Sequence, residues 1–233
     1  MPYRRYVVLI GLLSILPVCA EPQNMSFSQA KRIATKIYKD HKQTFYCHCE
    51  YNAKKKVNHR SCSYKIRKNK KRANRIEWEH VMPAWAFGHT RQCWREPEAF
   101  AACEKKKGKY HSGRKCCRKV DTVFKAMEGD LHNLVPAVGE LNSDRSNFSF
   151  GIVAGEPRKY GSCDFEVDFK HRVVEPMPEV QGDIARVYFY MSKKYGLRMS
   201  KKQQKLFQVW DKQDPQDSWE REKLIRIELS KKH

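Results

Sequence analysis

The sequence predicts an α+β domain, mainly helical and built as one unit. Three observations predict it. Apolar residues recur at helical spacing in several long stretches. Two short apolar stretches, 76–82 and 131–135, read instead as strands. No repeat and no pooled Gly or Pro divides the chain, so a single domain is expected from Glu21 to His233. At 233 residues the chain is long enough to bury a sizeable core.

The elements follow in order. Arg4 and Arg5, the apolar run 6–16 and Pro17-Val18-Cys19-Ala20 read as a secretory signal at 1–20, cut after Ala20. The run is too short to span a bilayer comfortably, and no later segment is apolar enough to try. A rival reading lipidates Cys19, but Val18 is a poor fit before that cysteine. Residues 26–39 form a helix, opened by the capping-box pair Ser26 and Gln29 and carrying Ala30, Ile33, Ala34, Ile37 and Tyr38 on one face. Residues 45–62 are short, basic and cysteine-rich, fitting strand and loop. A strand at 76–82 stops at Pro83. Residues 97–117 carry Gly, Lys and Cys with little periodicity, and read as a basic, cross-linked loop. After the strand at 131–135, Pro136 suits the first turn of a short helix reaching Asp144. Helices follow at 183–195, stopped by Gly196, from Ser200 with its Gln203 cap partner, and at 219–229. Their aromatic stripes read as core.

Loss of the signal leaves Cys47, Cys49, Cys62, Cys93, Cys103, Cys116, Cys117 and Cys163. An even set in an exported chain points to disulfides, although eight cysteines allow roughly a hundred pairings. Zinc is the other use of such residues, but Cys47-His48-Cys49 is not a zinc-finger spacing.

The formal net charge is +21, from 47 basic and 26 acidic residues. That balance favours a polyanion: nucleic acid, an anionic membrane or an acidic polysaccharide. A solvated, solubilising surface is the alternative. Clustering argues for the polyanion. Basic side chains crowd 65–75 and again 105–119, on either side of a segment that packs acids and histidine among apolar residues.

That segment, 75–85, and a second, 128–147, carry the candidate chemistry. Polar groups buried at such density need partners or a ligand. Phosphodiester hydrolysis asks for a base that is neutral near pH 7, a hard cation on oxygen ligands and a cationic group for the phosphate. Histidine suits the first role, and a carboxylate with an amide oxygen suits Mg²⁺. Glu79 and His80 are neighbours, so in a strand they point to opposite faces. They can share one site only where the strand ends or bends. His80 and Glu79 also admit structural readings, as a core histidine and a buried ion-pair partner. His132 is the competing base, read as structural. Glu77 and Glu140 read as structural or solvated, and Asp144 with Arg145 as a local ion pair.

The motifs EWEHVMPAWAFGHTRQCW (77–94) and MEGDLHNLVPAVGELNSDRSNF (127–148), with residues 45–49, 165–170 and 184–191, closely resemble the bacterial periplasmic endonuclease I family. The resemblance implies a ββα-metal (His-Me) finger, with His80 as general base and Glu79 and Asn142 holding the divalent cation. It places Asn142 on the short helix after Pro136. It matches Arg114 to the phosphate-binding arginine. Glu128 matches an acid of the same site, where it could order a metal-bound water. It implies a sequence-non-specific, Mg²⁺-dependent endonuclease, with Mn²⁺ or Ca²⁺ as alternatives. Such an enzyme acts on DNA and RNA as a periplasmic or secreted monomer and leaves 5′-phosphate and 3′-hydroxyl ends. The chain departs from the family around Cys103 and Cys116, which are additional, and at Arg221, where a cysteine usually sits; a relocated bridge is expected. Two rival functions remain: an exported cationic binding protein without catalysis, and a metal-dependent ribonuclease.

Overall fold

The computed structural model describes residues 25–155 and 157–231; the expected signal at 1–20 lies outside them. The helices, in chain order, are α1 Phe27–Ile37, α2 Lys70–Ala73, α3 Ala84–Gly88, α4 Gln92–Arg95, α5 Gly113–Val120, α6 Thr122–Glu128, α7 Gly139–Arg145, α8 Gln181–Tyr195, α9 Lys201–Gln213 and α10 Ser218–Ser230. The strands are β1 Ile76–His80, β2 Glu104–Lys106, β3 Lys109–Tyr110, β4 Leu134–Val138, β5 Ser149–Phe150, β6 Phe165–Asp168 and β7 Val173–Pro176.

The strands form three small sheets. β1 pairs antiparallel with β4, setting Glu79 opposite Val135 and His80 opposite Leu134. β2 and β3 make a short hairpin. In the third sheet β7 lies between β5, parallel to it, and β6, antiparallel. Helices surround the sheets: α8 packs on α9, α1 on α10, and α7 on both β1 and β4. One apolar core joins them, with Tyr46, Phe87, Phe124, Leu134, Leu141, Phe165, Ile184, Phe207 and Trp210 almost fully enclosed.

Local chemistry accounts for the element ends. Ser26 and Gln29 close a reciprocal capping box on α1. Ser200 accepts from Gln203 N at the start of α9. Gly196 ends α8 in the left-handed conformation at φ 66°, which costs glycine little.

Three expectations need correction. Pro136 does not open a helix: it sits inside β4, opposite Trp78, and α7 begins only at Gly139. In a two-stranded sheet a proline is tolerated wherever its missing N–H would face away from the partner. The second strand therefore runs later than 131–135, and a single 3-10 turn, Leu131–Asn133, precedes it. The loop at 97–117 is more ordered than its composition suggested, holding the β2–β3 hairpin and the start of α5.

All eight cysteines at issue are bridged: Cys47–Cys163, Cys49–Cys62, Cys93–Cys117 and Cys103–Cys116. The two additional cysteines thus pair with each other, and every cysteine among the described residues is in a disulfide.

Candidate active site

His80 is the last residue of β1 and is buried. Its Nε2–H donates to the Glu128 carbonyl over 2.8 Å. That carbonyl belongs to the last turn of α6, where helix geometry leaves oxygens without internal partners. The bond fixes the tautomer: the proton lies on Nε2, and Nδ1 keeps its lone pair. Phe27, the first residue of α1, covers the imidazole at 4.8 Å between ring centres. Burial, aided by the positive charge of Arg114, pushes the His80 pKa down to about 4, so the ring is neutral at pH 7.

Glu79 is buried as well, yet it lines the same cleft as His80. The strand ends at His80, as a shared site required. Asn133 pins the turn that follows. Its amide donates to Met82 O (2.9 Å), its side-chain oxygen accepts from Met82 N (2.7 Å), and its carbonyl accepts from Val81 N (3.1 Å). The Glu79 carboxylate accepts from Tyr46 Oη at 3.3 Å and faces the Arg145 guanidinium at 3.3 Å. Burial nevertheless raises its pKa to about 7, outweighing Arg145.

Arg145 itself is fully enclosed and does not pair with Asp144. Adjacent residues on a helix point apart. Arg145 turns inward to Glu79 and the carbonyls of His80 and Val81, clamping the end of β1. Asp144 turns out to Arg67 and Tyr160.

Asn142 projects from α7 into the cleft, and its amide nitrogen donates to Glu77 at 3.4 Å. Its Oδ1 has no hydrogen-bond partner among the described residues. Glu77 is held by Arg72 and Arg75, and Glu140 by the backbone N–H groups of Arg67, Lys68 and Asn69 with the Tyr64 hydroxyl. Neither acid is free: Glu140 is held away from the cleft by these donors, while Glu77 lines the cleft beside Asn142. His132 does not line the cleft; it donates to Asp130 and stacks on Tyr190.

Arg114 lines the cleft from the first turn of α5. Among the described residues it donates only through Nε, to Glu128 at 2.6 Å, which leaves its terminal nitrogens for a ligand. Arg118 takes the rest of the Glu128 carboxylate. Glu128 is 0% exposed. Burial works against its charge, but the hydrogen bond from Arg118 and the charge of Arg114 hold its pKa below the usual carboxylate value. Both Glu128 oxygens thus sit on guanidinium groups, with its side chain contacting Arg114 and its carbonyl contacting His80.

Four of the five expected residues, Glu79, His80, Arg114 and Asn142, therefore line a single open cleft of about 630 Å³, together with Phe27, Trp85, Trp94, Ser143 and Asn147. The fifth stands directly behind it. Sequence reasoning missed Tyr46, Phe27 and the inward role of Arg145. Within the basic runs Arg67, Arg72, Arg75 and Arg118 are paired with carboxylates and Arg114 through its Nε alone, while Lys68, Lys70, Lys71 and Lys105, Lys106, Lys107 and Lys109 remain on the surface.

The arrangement sits within a chain whose residues 21–232 match the model of the endonuclease I family. The chain belongs to the endonuclease I family. Similar members include Endonuclease-1 of Buchnera aphidicola subsp. Acyrthosiphon pisum (strain APS), 50% identical over 86% of this chain and 76% of that protein. An extracellular deoxyribonuclease of Aeromonas hydrophila is 48% identical over 94% of this chain and 89% of its own length. A periplasmic deoxyribonuclease of the same organism is 46% identical over 94% and 86%. The chain is, in family terms, an endonuclease I nuclease with a disulfide-bonded α+β fold.

Proposed function

We propose that this nuclease is a metal-dependent, sequence-non-specific endonuclease that hydrolyses phosphodiester bonds in DNA and RNA, leaving 5′-phosphate and 3′-hydroxyl ends. One observation carries the reading. His80, with Nδ1 left basic, opens onto the same cleft as Glu79, the free oxygen of Asn142 and the free nitrogens of Arg114. β1, β4 and α7 supply the two strands and helix of a ββα-metal finger.

The residues fit a hard divalent cation. Glu79 and Asn142 present one carboxylate and one unpartnered amide oxygen, the donor types Mg²⁺ takes while keeping several waters. When bound, such a cation neutralises charge on the phosphate and on the leaving oxygen. The chain's own residues do the rest. His80 Nδ1 takes a proton from water. The resulting hydroxide oxygen bonds to phosphorus as the bond from phosphorus to the 3′ oxygen breaks, and that oxygen leaves to be protonated. Arg114 holds a phosphate oxygen through its terminal nitrogens. No neighbouring 2′-hydroxyl takes part, so RNA and DNA are equivalent to this chemistry. Contacts to the backbone carry little base information, which gives weak sequence preference.

Action outside the cytoplasm follows from the four disulfides and agrees with the extracellular and periplasmic names of its relatives. No helix among the described residues is long and apolar enough to cross a membrane.

Plasmid digestion tests the reading. With Mg²⁺, His80→Ala is expected to lower cleavage by about 10²–10⁴-fold while DNA binding persists, and EDTA is expected to stop the wild type. Wild-type-like cleavage by the variant, or cleavage unchanged in EDTA, would falsify it.

A further inference from the structure

A second cavity, of about 510 Å³, adjoins the catalytic cleft. Pro83, Trp85 and Asn147 line both, so the two are neighbours across one ridge. None of the chemistry above uses it. Its volume lies in the range of small-molecule sites, about 300–1,000 Å³.

The ridge carries Trp85, which is 45% exposed although it stands five residues beyond His80 on α3. Tryptophan is usually much more buried than this. The indole is not loose. His89 lies parallel to it, with ring centres 3.9 Å apart and planes 7° from coplanar. The imidazole is itself held by Nδ1 against the Trp85 carbonyl at 2.8 Å. Trp85 lines both the cleft and the second cavity, and His89, which lines the second cavity alone, holds the indole in place. Beyond it the cavity offers Phe148, Met82 and Met199 as apolar surface and Arg198 and Gln203 as polar groups. Arg198 is exposed and makes no ion pair or hydrogen bond among the described residues.

We propose that this cavity is a nucleoside subsite: the base of a nucleotide flanking the scissile phosphate stacks on Trp85, and Arg198 meets the next phosphate. The inference rests on the nuclease reading above and deepens it by naming what binds beside the reacting bond. Stacking on an aromatic face is tolerant of base identity, in keeping with a non-specific enzyme. It also requires an unpaired base, because a base inside a duplex has both faces covered. Trp85 therefore acts mainly on single-stranded substrate.

The test uses a single-stranded DNA hexamer whose central linkage is the only ordinary phosphodiester, the others being phosphorothioates. Two further hexamers lack the base on one or the other side of that bond. For the wild-type protein, removing the base on one side is expected to lower kcat/KM about tenfold, through KM. Trp85→Ala should cleave the intact hexamer about tenfold less well and lose nothing more when that base is absent, whereas Trp85→Phe should keep most of the base effect. Should the alanine variant not fold, Trp85→Leu carries the same comparison. Equal kcat/KM of the wild type on all three hexamers overturns the proposal. So does a base effect of the same size in wild type and Trp85→Ala. Failure of the wild type to cut both the intact hexamer and plasmid DNA with Mg²⁺ is a different result and removes the proposed function; cutting plasmid but not the intact hexamer overturns the subsite, which acts on unpaired bases.

Discussion

Asp130 shows how much of this site depends on residues that never meet substrate. It follows Glu128 by two positions and accepts from His132, Tyr190, Tyr195 and Lys194. Burial disfavours its charge, but the hydrogen bond from His132, the charges of His132 and Lys194 and the hydrogen bond from Lys194 more than offset this. The folded pKa falls well below the ordinary aspartate value. The folded state therefore binds this proton less readily than the unfolded chain, whose value is about 3.9. The stabilisation is complete above roughly pH 4 and is lost as the pH falls below that toward the folded value. Asp130→Asn is expected to cost about 2–3 kcal/mol at pH 7, and the gap between variant and wild type should narrow steadily in urea melts run below pH 4. A constant gap across that range would contradict the account. None of these partners lies near Asp130 in sequence except His132, so only that contact was open to sequence reasoning. The same holds for Arg145: its neighbour Asp144 suggested a local pair, and the actual partner is Glu79, 66 residues away.

Among the elements, α5 shows how a helix aims a side chain. Gly113 opens it against the backbone of Trp94; a Cβ there would lie 2.2 Å from the Trp94 carbonyl oxygen. Cys93–Cys117 bridges α4 to α5 at the other end of the same contact. Only glycine permits this approach, and the approach sets where Arg114 begins. Gly113→Ala must push the helix start away. It is expected to lower kcat about ten- to hundredfold, with stability lowered by about 1–3 kcal/mol, and the far-UV spectrum should keep its helical content. Unchanged kcat would mean that Arg114 does not depend on this contact. Elements of this kind were legible in the sequence where a cap or a stop residue marked them, as at Ser26, Gly196 and Ser200. They were illegible where one residue type suits two structures. Pro136 fits a helix start as well as an edge strand, and only pairing with Trp78 decides between them.

At the scale of the whole molecule, four covalent cross-links hold a strongly basic chain together. Cys47–Cys163 closes a loop of sequence separation 116 and the others close 13 to 24. Loops of the shorter lengths are each worth roughly 3 kcal/mol and the long one roughly 5, against a net stability of about 5–15 kcal/mol for a domain. A chain folded with thiol reductant present should thus be inactive and recover on oxidation; equal activity from the two preparations would refute this. The family and its nuclease class were readable before the fold, and four residues named from the sequence line one cleft. The pairing of cysteines was not, because spacing alone does not say which loops the packing brings together.

The cross-links have one more effect. The lysine-rich turn at 105–109 projects into solvent and is an inviting target for trypsin-like proteases in the surroundings of an exported protein. Cys103–Cys116, Cys93–Cys117 and Cys47–Cys163 all straddle it. A cut there yields two peptides that stay stapled three times over, with His80 on one and Arg114 on the other still facing each other. A cut at this turn need not end the working life of the enzyme.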